Sequence, residues 1–326
     1  MDTGTHVVMG LGLGALATLD PTVAGHTATA TSVMVGTIVG SQIPDIDTVL
    51  KLRNNAVYIR NHRGITHSVP AVLLWPLAIT GAIYFFNPDA NLLHLWLWTQ
   101  LAVFLHVFVD IFNAYGTQAL RPFSCKWVAL GVINTFDPFI FGIHVAGLAV
   151  WIMGAPPGYT FLVVYGILIF YYFLRFSAKR DVVNAVKVMV PNATQIVVAP
   201  TMRFNHWRVA VMTESEFFVG RAQGSTVRIL DKFKRVPVPD TPVIHAAKQD
   251  SNISAFLSFS PVYRWEVKDF NDYHEVRFID LRYRSNGHYP FVAVVHLDPD
   301  LNILNSYTGW IYSEEKLRKK LSILPG

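Results

Sequence analysis

The longest apolar runs of the chain lie before residue 175, and their lengths are those of membrane helices. "HSVPAVLLWPLAITGAIYFF" (67–86) and "LLHLWLWTQLAVFLHVFVDIF" (92–112) each approach the about 20 residues that a bilayer core requires of a helix. Two further runs, near 139–153 and 159–174, are joined by "GAPPGY". The first two, 5–19 and 29–43, are shorter and rich in Gly, Ala, Ser and Thr, as in helices that pack closely on one another. The pattern predicts six helical segments, with an even number of crossings if all of them span. Residues 1–20 lack the basic start and cleavage site of a signal peptide, so they are expected to stay in the mature protein.

Beyond "YYFLRFSAKRD" the period changes. "VKVMVP", "TQIVVAP", "HWRVAVMTE", "EFFVGRA", "TVRILDKF", "HEVRFIDLRYR" and "PFVAVVHLD" are rich in β-branched and aromatic residues and partly alternate, as strands of an antiparallel sheet do. "AAKQDSNISAFLSFS" (246–260) reads as a helix between them, and "SEEKLRKKL" as a terminal helix with Ser313 as its N-cap. The expected architecture is an α-helical membrane domain over residues 1–178 followed by a cytoplasmic α+β domain over 179–326. Trp207, Trp265, Tyr283 and Trp310 are expected in the core of the second domain.

Composition sharpens this division. Of 326 residues, 52% are hydrophobic and only 15% charged, and the mean hydropathy is +0.34, apolar for a soluble protein. The single Cys, Cys125, excludes an intramolecular disulfide framework and any Cys-rich zinc site, so a metal would need His and carboxylate ligands. The formal charge of +5 is a topology signal and not one for nucleic acid. If every segment crosses, Lys51, Arg53, Arg60, Arg63, Arg121, Lys126, Arg175, Lys179 and Arg180 all fall on one side, while "DPTVAGH", "NPDAN" and "GAPPG" on the other carry no Lys or Arg. The positive-inside rule makes the first side cytoplasmic, giving a multi-pass protein with both termini inside.

The same side collects the unusual polar residues. His6 lies in the first segment, "PDID" (44–47) closes the second, "HRGITHS" (62–68) leads into the third, His106 and Asp110 end the fourth, and "FDPF" (136–139) precedes the fifth. His106 and Asp110, four apart, share one helical face. Each residue also has a plainer role. His106 and Asp110 can pair between helices, Asp45 or Asp47 can cap the next segment, and Thr66 or Ser68 can cap the third. Asp137 before Pro138 is as good a cap as a ligand. Arg60 and Arg63 can be ordinary topology charges. Five such coincidences at one membrane face are less economical than one site. Ionisable groups beside spanning helices are energetically costly and usually functional, and four to six imidazoles and carboxylates suffice for one or two divalent ions.

The ordered set His6, Pro44-Asp45-Ile46-Asp47, Arg63-Gly64-Ile65-Thr66-His67-Ser68, His106 to Asp110 and Gly116 to Phe123 resembles the YdjM/YfhP family of membrane-bound metal-dependent hydrolases. Over its whole length the chain is most similar to the YfhP-type members, with the motifs in the N-terminal half. That family is distantly similar to zinc-dependent phospholipase C and P1 nuclease, all-helical enzymes that cleave phosphoesters. The resemblance implies a helical core of that type and one or two divalent ions, zinc first. It implies that His6, His67, His106 and Asp110 match ligand positions and that one of Asp45 and Asp47 matches a ligand or general base. Asp47 is favoured as ligand, and Asp45, with Arg63, as catalytic. After Asp110 there is no second HxxxE or HxxxD pair of the kind that completes a three-metal cluster, so fewer ions are expected.

Two functions follow. One is a membrane metallohydrolase in which an ion activates water against a phosphoester of a lipid or amphiphile at the cytoplasmic face. The other is a non-catalytic scaffold or regulator with a structural metal and a C-terminal domain that binds a protein partner. The C-terminal half shows no phosphate loop or nucleophile elbow, and "GLGLG" (10–14) is a helix-packing pattern.

Overall fold

A computed structural model describes residues 1–52 and 55–323; Arg53, counted above among the one-sided charges, lies outside them. The chain divides into two compact units. The first comprises 1–47, 63–179 and 200–204, and the second 48–62, 180–199 and 205–326.

In the first unit the principal helices are α1 (Thr3–Leu16), α2 (Thr27–Gly40), α3 (Val69–Phe86), α4 (Leu92–Asp110), α5 (Pro138–Ile152) and the start of α6 (Pro157–Met189). Of these, α3, α4 and α6 are long and apolar enough to cross a membrane, and α1, α2 and α5 are shorter apolar helices. The outer surface is hydrocarbon-like: on α3 alone Leu73, Leu74, Leu77, Phe85 and Phe86 are exposed, a contiguous apolar face that water does not tolerate. The small residues of the first two segments are where helices approach. A Cβ on Gly10 would stand 2.9 Å from the Ile38 Cα, and one on Gly36 would stand 2.4 Å from Thr99 Oγ1.

Short signals set the helix ends. Ser68 caps α3, and Pro at the first turns of α3, α5 and α6 suits a position whose N–H has no intrahelical partner. Asp137 proves to be the α5 cap: Oδ1 accepts from Phe139 N at 3.0 Å and Ile140 N at 3.3 Å, and Tyr171 of α6 donates to the same carboxylate. Arg175, fully buried on α6, donates from Nε to Val132 O at 2.8 Å and so ties the helix to the loop before α5.

The second unit carries two four-stranded sheets. The first has the order β1 (Gln195–Pro200), β2 (His206–Met212), β3 (Glu216–Gln223), β4 (Thr226–Lys234). Antiparallel pairing of β3 with β4 closes through a two-residue turn in which Gly224 holds φ +55°, a conformation hairpin turns require and Gly permits. The second has the order β5 (Tyr263–Asp269), β6 (His274–Asp280), β7 (Phe291–Leu297), β8 (Ile303–Trp310), all antiparallel. Helices α7 (Pro242–Gln249) and α8 (Ser251–Phe259) pack on this sheet, with Phe256 buried against Phe278 and Phe291.

Three expectations change here. "VKVMVP" is not a strand, because α6 continues through Met189 with Val186 buried along it. The single helix expected over 246–260 is two, because extended Asp250 interrupts it and caps α8 by accepting from Asn252 N and Ile253 N at 2.8 and 2.9 Å. The terminal helix α9 (Glu314–Ile323) starts where Ser313 Oγ accepts from Lys316 N at 3.3 Å. Trp207 and Tyr283 are buried, whereas Trp310 lies at the sheet edge, 39% exposed, against Tyr283 and Phe291.

Candidate metal centre

Four helix ends converge within the first unit: the start of α1, the chain leaving α2, the turn leading into α3 and the end of α4. The last three bring four ligand atoms together, from Asp45, His67, His106 and Asp110, all within 4.8 Å of one another. His67 Nε2 lies 3.6 Å from Asp45 Oδ1 and 3.5 Å from Asp110 Oδ2. His106 Nε2 lies 3.7 Å from Asp45 Oδ1 and 3.8 Å from Asp110 Oδ2. These separations exceed the about 2.7–3.2 Å of an N–H···O bond. They are close to the about 3.3–3.6 Å that separates two donors sharing one tetrahedral ion at about 2.0–2.2 Å. Asp45 Oδ1, His106 Nε2 and Asp110 Oδ2 are buried and make no hydrogen bond. Two neutral imidazoles and two carboxylates form the donor set that zinc and related divalent ions accept, so the residues fit such an ion.

The far side of each imidazole is fixed by the protein. His106 Nδ1 is 2.6 Å from Ser41 O, and a carbonyl only accepts, so Nδ1 carries the proton and Nε2 presents its lone pair to the cluster. His67 reaches the same tautomer through a hydroxyl. Thr66 Oγ1 donates to Asp47 Oδ2 at 2.7 Å, so its oxygen can only accept from His67 Nδ1 at 3.1 Å. Outer contacts of this kind hold ring orientation and raise ligand basicity.

His6, Asp45, Asp47, Arg63, His67, His106 and Asp110, expected as site residues, all lie around this centre, in differing positions. Asp45, expected as base, contributes an oxygen to the four-atom group. Asp47, expected as ligand, instead accepts from Arg63 N at 2.8 Å and from Thr66. His6 stacks on His106 with ring centroids 3.7 Å apart and sets Nε2 3.4 Å from Asp110 Oδ1, outside the four-atom group. The Met1 amine pairs with Asp110 Oδ1 and lies 3.0 Å from His6 Nε2; burial, then the Arg63 charge, push it well below its ordinary pKa. Arg63, buried at φ +59°, places Nε 3.2 Å from Asp110 Oδ2 and donates to Met1 O at 3.0 Å. A left-handed conformation at a non-glycine residue is strained by about 1–3 kcal/mol and persists where surroundings fix it; here Asp47 holds its N–H and Gln118 its carbonyl.

Gly116 of the "G…RPF" stretch holds φ +70°, and a Cβ there would stand 2.1 Å from Val128 O. Thr66 was read only as a cap. Its position between a carboxylate motif and a histidine was the available sign of its role.

The helical fold and its buried His/Asp cluster define a membrane protein with a candidate metal site. Residues 1–182 match the family described as YdjM inner membrane protein, residues 191–233 the YfhP middle domain and residues 242–321 the YfhP C-terminal alpha/beta plait domain. The chain belongs to this YdjM/YfhP family. It is similar to uncharacterized protein YfhP of Bacillus subtilis (strain 168), with 64% identity over 324 residues, 99% of each chain. No solved structure matches it, and none of these matches is to zinc-dependent phospholipase C or P1 nuclease.

Proposed function

We propose that the chain is a multi-pass membrane metallohydrolase that cleaves a phosphoester of a lipid or amphiphile at the cytoplasmic face. The observation that carries this reading is the convergence of Asp45 Oδ1, His67 Nε2, His106 Nε2 and Asp110 Oδ2 with both ring tautomers set toward the centre. A divalent ion held there, zinc first, supplies Lewis acidity, polarising a phosphoryl oxygen and easing deprotonation of water. Asp45 is the one member with solvent access, its side chain 15% exposed against 0% for the other three, which makes it the carboxylate suited to take up a proton. Arg63 adds positive charge beside Asp110, suited to a phosphate. Asp47 acts at one remove, orienting His67 through Thr66.

The crossing pattern is supported by the alternation of helix ends. The cluster joins the start of α1, the end of α2, the start of α3 and the end of α4, and Asp137 at the start of α5 bonds to Tyr171, near the end of the apolar stretch 159–174 in α6. Six crossings with both termini on the Lys/Arg-rich side produce this alternation.

Elemental analysis of the detergent-purified full chain, then phosphate release from a panel of phosphoesters and phospholipids in mixed micelles, tests the reading. Stoichiometric metal with chelator-sensitive turnover is expected. Protein that takes up no ion under metal-replete conditions would overturn it. Metal without turnover favours a second reading, which the complete burial of His67, His106 and Asp110 also suits: a structural ion in a scaffold whose C-terminal domain binds a protein partner.

A further inference from the structure

A second feature of the helical unit shares no residue with the metal cluster. Between α1, α4, α5 and α6 runs a groove of about 490 Å³, within the range of small-molecule sites. Its walls are hydrocarbon and aromatic, with Leu13, Leu105 and Leu168 along its length. Its rim includes Ile169 and Phe173, both more than half exposed, on α6, a helix of membrane-spanning length. A groove with such a rim faces lipid chains, not water.

Of the sixteen lining residues, only His144, Tyr165 and Tyr172 carry side-chain nitrogen or oxygen. The Tyr165 hydroxyl is committed to Met9 O at 3.1 Å. His144 is fully buried, and its Nδ1 lies 2.7 Å from Ile140 O, so Nδ1 carries the proton. Nε2, on the opposite edge of the ring, is buried and makes no hydrogen bond. An orphaned acceptor of this kind is destabilising unless a donor reaches it.

The occupant's chemistry follows by elimination. A lone water needs two to four polar partners. An ammonium would need a counter-charge, and the lining holds no acidic residue. An amide N–H would bring a carbonyl into the same apolar walls. A hydroxyl on a hydrocarbon supplies one donor with the least additional polarity.

We propose that this groove binds a hydroxyl-bearing lipid, its chain packed along Leu13, Leu105 and Leu168 and its hydroxyl donating to His144 Nε2. The proposal does not rest on the metallohydrolase reading.

The test uses full-length protein in detergent, 1-hexadecanol as probe and hexadecyl methyl ether as the same chain without a donor, with bound lipid counted by native mass spectrometry. Wild type should retain one hexadecanol and prefer it over the ether by about threefold to tenfold, the worth of one net hydrogen bond. His144→Phe should bind both equally, while His144→Gln, which keeps an acceptor, should restore the preference. Leu105→Trp should reduce both. Chelation should leave the ratio unchanged, so the result stands apart from the fate of the metal site. Equal retention of alcohol and ether by wild type would overturn the proposal, as would a preference that survives His144→Phe.

Discussion

Asp110 is the hub of the cluster, and Asp110→Asn is the sharpest perturbation of it. The carboxylate is fully buried and faces the Met1 amine, His6 at 3.4 Å, His67 at 3.5 Å, His106 at 3.8 Å and Arg63 at 3.2 Å. Asn matches Asp in volume, so no cavity opens and the effect is electrostatic. At an effective dielectric of about 20, the attraction of Arg63 alone across its separation is about 5 kcal/mol. Removing one member of a buried charged pair costs about 3–5 kcal/mol, because the other is left without compensation. For a unit of this size, that shifts the unfolding midpoint by about 6–20 °C.

The assay is thermal unfolding of the full chain in mild detergent, read by tryptophan fluorescence with and without a chelator, alongside elemental analysis. Wild type should lose stability on chelation, since an ion bound by the folded chain stabilises it. The variant should start lower, hold little metal and respond little to chelator. Wild-type metal content with an unchanged midpoint in Asp110→Asn would show that the cluster neither binds an ion nor depends on this charge.

Further outcomes are expected. Thr66→Val, which breaks the link from His67 to Asp47, should weaken metal affinity about 10- to 100-fold by competition titration while the helical circular dichroism stays unchanged. Asp45→Asn should abolish turnover, and Asp47→Asn should weaken metal retention without removing it, as read by paired phosphate-release and metal assays. Gly36→Val should destabilise the helical unit by about 1–3 kcal/mol or more through a clash with Thr99, measured by the same thermal unfolding. In the second unit, the hydrogen bond from His296 and the Arg277 charge hold Glu275 below its usual range against burial. A depressed carboxylate contributes stability that is present above about pH 4.3 and lost as pH falls through the lower folded value. Glu275→Gln should therefore flatten the acid limb of the unfolding profile.

The helices of the first unit were legible because their signals are local. Apolar length marks the spans, and small residues in "GLGLG" and its neighbours mark where backbones meet, as Gly10 and Gly36 do. In the C-terminal part, composition was informative where neighbours agreed with it and misleading where they did not. "VKVMVP" has the β-branched content of a strand, yet it follows a long helix with no Gly or Pro to stop it before Pro191, and α6 runs on through Met189 with Val186 buried along it. Asp250 was hidden for a different reason: it lies inside an amphipathic run, and part of what holds it, the Ser306 Oγ that meets its second oxygen at 2.7 Å, comes from a strand more than fifty residues later.

The candidate site divides along the same line. Which residues gather at one end of the helices could be read from the chain, since alternating helix directions bring successive helix ends to one face and His6, Asp45, His67, His106 and Asp110 all lie at those ends or in the segments that join them. What each does there depends on contacts with no sequence period. Asp45 and Asp47 are two residues apart in one 3₁₀ segment, and they take different partners. The choice is made elsewhere: the strained Arg63 turns its N–H to Asp47, Thr66 donates to the same oxygen, and Asp45 is left facing the two imidazoles. The positive φ of Arg63 therefore has a chemical consequence as well as a conformational one. It divides one "PDID" motif into a carboxylate that meets the cluster and a carboxylate that holds its histidine in place.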